Sequence, residues 1–134
     1  MEFVRSEALR DHWYPVAEGT DVEPGPLGVT LLGDPYVLFR GSDGGVVAAP
    51  DRCPHRESPL SLGTMGSDGL VCPYHGWTFG DGGRCVRVPS SGEGGPVPPT
   101  AHLPCVNVEE RYGLVWLCPG APAAPIPTIP QDAD

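Results

Sequence analysis

Cys53-Pro54-His55 and Cys72-Pro73-Tyr74-His75 each place one thiol and one imidazole within a few residues, and sixteen residues, 56 to 71, separate the two runs. A chain that uses all four side chains together must carry the runs on two loops that clamp one site from both sides. Two Cys and two His can make a tetrahedral zinc site. Zinc modules usually pair Cys with Cys and His with His, whereas each half here mixes the two. Zinc is therefore the lesser alternative, and four unligated side chains the least.

The cysteine count points the same way. Five Cys in 134 residues is an odd number, and the start, Met-Glu-Phe-Val-Arg, lacks the basic region, apolar core and cleavage site of a secretory leader. A disulfide framework is disfavoured, and metal or cluster ligation becomes the first question. There is no apolar run near the ~18 residues that a membrane span needs. These features set the cytoplasm as the expected compartment, with no membrane partner. The formal charge is −9, which argues against nucleic acid as a partner. Such acidity is first of all a solvated surface; it also suits docking to a basic patch on a redox partner.

Gly and Pro, 19 and 18 residues, make up about 28% of the chain, a level that can signal disorder. Here they fall between short apolar runs, where turns belong. Three Trp, four Tyr and three Phe give a core something to bury. The glycines read as hairpin punctuation in an all-β domain.

A helical turn or two is expected over residues 1–12, with Phe3, Val4 and Leu9 inward. Strands are expected at Trp13–Ala17, Leu27–Leu32, Tyr36–Arg40, Val46–Ala49, Leu70–Val71, Trp77–Phe79, Arg84–Val88, Cys105–Glu109 and Leu114–Leu117. Asp34-Pro35 is the expected turn before Tyr36, and residues 89–104 read as a long loop. Many short strands at this spacing predict a small antiparallel β-sandwich or barrel. The domain is expected to span 1–120, with 121–134 a Pro-rich linker or frayed tail. Cys85, Cys105 and Cys118 lie on expected strands and read as small buried apolar residues.

The residues around the two ligand runs resemble the Rieske family, and within it the N-terminal domain of Rieske non-haem iron oxygenases. The stretches that carry the likeness are Trp13-Tyr14-Pro15-Val16-Ala17, Asp51-Arg52-Cys53-Pro54-His55-Arg56, Pro59-Leu60-Ser61-Leu62-Gly63 and Cys72-Pro73-Tyr74-His75-Gly76-Trp77. Asp81-Gly82-Gly83-Arg84-Cys85 and Arg111-Tyr112-Gly113-Leu114-Val115-Trp116 add to it, so that it runs from about residue 10 to 120. The resemblance implies a Rieske-type 2Fe–2S cluster held by Cys53, His55, Cys72 and His75, with both Cys on one iron and both His on the other. Two ferric ions, two sulfides and two thiolates sum to zero charge, whereas four thiolates would leave an anion. An electron enters a neutral centre more easily, which is why Rieske centres lie at about −150 to +300 mV.

Respiratory-chain members place an extra Cys beside each ligand pair and join the two in a disulfide. Here the neighbours are Arg56, Glu57, Gly76 and Trp77. High-potential members carry hydroxyl donors near the cluster sulfurs; Tyr74 is present, but Gly76 stands at the usual serine position. The resemblance therefore implies the low end of the potential range. Arg56 reads equally as a donor to a cluster sulfide or a backbone carbonyl and as a surface arginine. Trp77 is expected to pack beneath the second loop, and Gly76 to allow close backbone approach with positive φ. Pro96 to Pro99 reads either as a third loop over the cluster or as a generic surface loop.

Oxygenases of this kind also hold a mononuclear iron on two His and a carboxylate. Apart from His55 and His75 this sequence has only His12 and His102, and no close His pair. The first functional reading is an electron-transfer protein or subunit that passes single electrons from a reductase to a non-haem iron oxygenase chain. A hetero-oligomer with such partners is an expectation of that reading, which Met1 and the short length favour. The second is the Rieske domain of a split or longer oxygenase acting on a small organic substrate, with the Pro-rich tail as linker. The third is a non-redox binding or regulatory module, which the intact ligand set disfavours.

Overall fold

The computed structural model describes residues 9–54, 58–73, 76–87 and 102–128. It is almost entirely β, in three antiparallel sheets. The first sheet orders β1 (Tyr14–Glu18), β10 (Leu114–Cys118) and β9 (Asn107–Arg111), with β10 in the middle. The second orders β2 (Leu27–Leu31), β3 (Asp34–Arg40) and β4 (Val46–Pro50). The third is the meander β5 (Thr64–Gly66), β6 (Gly69–Val71), β7 (Thr78–Phe79) and β8 (Cys85–Arg87). No helix among the described residues is long and apolar enough to cross a membrane.

The middle sheet organises the molecule. Tyr36, Val37, Leu38 and Phe39 form an unbroken apolar run on β3, and all four are buried. Side chains alternate across a strand, so a run like this is stable only where both faces are covered. Tyr36 and Leu38 join one core with Ala48, Val115 and Leu117, towards the first sheet. Val37 and Phe39 join a second core with Ala49, Leu60, Leu70 and Phe79, towards the third. Burying each such side chain is worth about 1.5–3 kcal/mol relative to exposure.

Some boundaries differ from expectation for identifiable reasons. The turn into β3 is Leu32-Gly33, both at positive φ (53° and 85°). It connects the register pair Leu31↔Asp34, so Asp34 and Pro35 already belong to the strand. A two-residue hairpin turn of this hand matches strand twist. Tyr112-Gly113 makes the equivalent turn between β9 and β10. Strand β5 carries only Thr64-Met65-Gly66 and had no legible apolar alternation. Leu9 is exposed rather than inward, and residues 1–8 lie outside the described set. Beyond β10 the chain is tethered: Asn107 Nδ2 donates to the Gly120 carbonyl at 2.7 Å, Tyr112 Oη to that of Pro127 at 3.2 Å, and Ile126 is buried.

Candidate metal centre

Both cysteines of the motif belong to the second core, and both are buried, at 1% and 3% exposure. Cys53 follows β4, and the chain returns through the 3-10 turn Leu60–Leu62. Cys72 follows β6, and the chain returns into β7. The two loops close alike. The Cys53 N–H donates to the Ser58 carbonyl at 2.8 Å, and the Cys72 N–H donates to the Trp77 carbonyl at 2.8 Å. Each cysteine thus bonds the residue five positions on, pinching a short loop at its base.

The second pinch continues the ladder that pairs Val71 with Thr78. The loop turns back at Gly76, whose φ of 73° is costly for a residue with a Cβ. The Gly76 N–H returns to the Cys72 carbonyl at 3.2 Å, and the Thr78 hydroxyl donates to the Gly76 carbonyl at 3.1 Å. Trp77 is half-buried against the second core, as its place after the loop implied. The first loop is held by a carboxylate. Asp51 accepts the Ser61 N–H at 2.8 Å on one oxygen and the Ser61 hydroxyl at 2.6 Å on the other.

One residue touches both cysteines. Ser58 accepts the Cys53 N–H through its carbonyl, and its Oγ lies 3.3 Å from Cys72 Sγ. Ser58 is 5% exposed. Sequence reasoning missed it: a serine among Ser58-Pro59-Leu60-Ser61-Leu62 carries no sign of which hydroxyl turns inward. His55, Arg56, Glu57, Tyr74, His75 and the Pro96–Pro99 stretch lie outside the described residues.

The remaining cysteines divide. Cys85 and Cys118 are buried, as expected of small apolar residues. Burial pushes the Cys118 thiol up, in keeping with an inert role. Cys105 is the correction: it is exposed and lies ahead of β9, which begins at Asn107. No disulfide joins any of the five. Of the two other histidines, His12 is exposed and His102 Nδ1 accepts the Cys85 N–H at 2.9 Å.

Two buried cysteines on two matched loops, in one core cluster with Leu60, Phe79 and Leu103, form a soft, water-excluded donor set. That set suits an iron–sulfur cluster, whose thiolate ligands must be deprotonated and shielded. In the sequence His55 and His75 follow these two cysteines by two and three positions.

Comparison with known proteins agrees with this geometry. Residues 12–107 match the model of the Rieske [2Fe-2S] domain. The methylxanthine N1-demethylase NdmA of Pseudomonas putida is 42% identical over 117 residues, which cover 83% of this chain and 33% of that protein. The oxygenase component of dicamba O-demethylase from Stenotrophomonas maltophilia is 42% identical over 115 residues, 86% of this chain and 33% of that protein. Among solved structures, dicamba monooxygenase bound to dicamba superimposes with a TM-score of 0.83 at 40% identity, over 94% of this chain and 38% of that one. NdmA superimposes with a TM-score of 0.78 at 41% identity, over 85% and 36%. The chain spans about a third of the length of these curated relatives.

Proposed function

Since the chain belongs to the Rieske [2Fe-2S] domain family, we propose that it is the electron-carrying Rieske domain of an oxygenase system acting on a small organic substrate. Cys53, His55, Cys72 and His75 hold the cluster. Its chemistry is one-electron transfer between a reductase and a mononuclear non-haem iron centre. The observation that carries the reading is the matched pair of loops, with both motif cysteines in one apolar core.

Each part of the chain has a stated task. Cys53 and Cys72 supply the buried anionic ligands, and His55 and His75 the neutral ones. Leu60, Phe79 and Leu103 share the core in which both cysteines are buried. The Asp51–Ser61 contact and the Cys72–Trp77 rung hold the loops in place. The histidine loops, 53–56 and 72–77, are the exit for the electron and the docking edge for the oxygenase centre.

The relatives, a methylxanthine N1-demethylase and the oxygenase component of dicamba O-demethylase, are about three times this length. That supports a domain of a longer or split oxygenase over a self-sufficient ferredoxin. The test is direct. The purified chain is expected to be brown-red, with two irons and two acid-labile sulfides per chain. It should accept electrons from a reductase and oxidise organic substrate only when protein carrying the mononuclear iron is added. A colourless chain with one zinc ends the reading, and substrate turnover by the 134 residues alone ends the division of labour.

A further inference from the structure

We propose that Ser58 is a positioning residue that raises the reduction potential of the centre by donating its hydroxyl to Cys72 Sγ. This rests on the reading of Cys72 as a cluster ligand. Among the described residues only Ser58 and Thr78 are buried polar side chains. The Thr78 hydroxyl is spent on the Gly76 carbonyl. The Ser58 hydroxyl instead faces the sulfur of the opposite loop at 3.3 Å.

The direction of that bond follows from the chemistry of the acceptor. A thiol and a hydroxyl can each donate to the other. A thiolate bound to iron has no proton to give, so Ser58 becomes the donor. The Ser58 main chain is held by its carbonyl's bond to the Cys53 N–H, and its buried hydroxyl lies in the rotamer that faces Cys72. The hydroxyl of one loop is thereby aimed at the ligand of the other.

A cluster held there would take up one electron from an external reductant. No bond is made or broken, and the hydroxyl proton stays on Ser58. The centre would then carry one more negative charge, close to the Cys72 sulfur that binds it. A donor to such a sulfur is bound more strongly in the reduced state, which favours reduction. This donor reaches the sulfur from the first loop, whereas the second loop has Gly76 where a hydroxyl would be looked for.

The experiment compares wild type, Ser58→Ala and Ser58→Thr, each assayed for iron and sulfide and then titrated for potential. Ser58→Ala is expected to shift the one-electron equilibrium against reduction by about tenfold, equivalent to a fall of 59 mV. Ser58→Thr, which keeps the hydroxyl, is expected to recover most of it. In resonance Raman spectra the Fe–S(Cys) stretches of wild type are expected to shift in D2O. A fully loaded Ser58→Ala with the wild-type potential overturns the proposal. If Ser58→Ala fails to load, the D2O experiment on wild type decides, and unshifted stretches overturn it. Wild type without iron and sulfide overturns the ligand reading and this inference with it, so the two failures are distinct.

Discussion

Asp51 grips Ser61 with both carboxylate oxygens, one on the backbone N–H and one on the hydroxyl. The two residues bracket the loop that carries Cys53. Asp51 stands just past the end of β4, and Ser61 lies within the 3-10 turn that follows the loop. The contact sets the span of the first ligand loop much as a ladder rung sets that of the second.

Asp51→Ala removes both acceptors. Hydrogen bonds to a charged group contribute about 1.5–3 kcal/mol each when well sheltered, and this pair is half-buried. A total loss of about 2 kcal/mol is expected. Urea unfolding of the loaded protein should show a lower midpoint at unchanged slope, and visible absorption should bleach faster. Ser61→Ala keeps the backbone contact and should cost about half as much.

Cys53→Ser and Cys72→Ser are expected to abolish iron and sulfide binding, and with it much of the stability of both loops. Cys85→Ser and Cys118→Ser introduce a hydroxyl at buried cysteines outside the two ligand runs, Cys85 within the core that holds Cys53 and Cys72 and Cys118 outside it. They should lower stability while leaving the iron count unchanged. Iron and acid-labile sulfide assays on the four proteins separate the two groups.

Gly69 opens β6 at a φ of 141°, and a Cβ there would collide with the Phe79 carbonyl. Gly69→Ala therefore has both backbone strain and a clash against main chain. A loss of about 3 kcal/mol is expected. Gly25 has nothing within 4 Å of where its Cβ would stand, so Gly25→Ala should stay within about 0.5 kcal/mol of wild type. Thermal unfolding of the two variants measures the contrast.

Arg40, at the end of β3, reaches Glu110 on β9 with two contacts of 2.7 and 3.2 Å and also donates to the Gly19 carbonyl at 2.6 Å. The Arg40 hydrogen bond holds the Glu110 carboxyl below its ordinary value. The unfolded chain then binds more protons than the folded one in that range. The stabilisation is complete above the ordinary glutamate range and is lost as pH falls through the lower, folded value. Glu110 is more than a third exposed, so the effect is at most about 1 kcal/mol. Glu110→Gln should flatten the acid limb of a stability–pH curve and leave the rest of that curve parallel to wild type.

Much of this arrangement was legible beforehand. The mixed Cys/His spacing named the two loops, and the structure puts both cysteines beside one core. Gly76 takes the positive φ expected of it, and Trp77 packs under its loop. The misses have local causes. Asp34-Pro35 has the composition of a turn, yet Leu32-Gly33 makes it, because sheet register decides which pair of residues must adopt positive φ. Cys105 looked like the start of a strand, but pairing in the first sheet begins at Asn107.

Read alone, the chain specifies which atoms can bind a cluster and that short strands must carry them, because ligand chemistry and turn residues are local properties. Which face each apolar residue covers is not local. Tyr36 to Phe39 could have been a half-exposed strand. Only the packing of sheets on both sides makes β3 the shared wall of two cores. The same holds at the site. Nothing in the order of residues brings Ser58 to Cys72, fourteen positions away. That contact exists because the loops after β4 and β6 both bury a cysteine in one core, and tertiary packing alone decides which loops meet there.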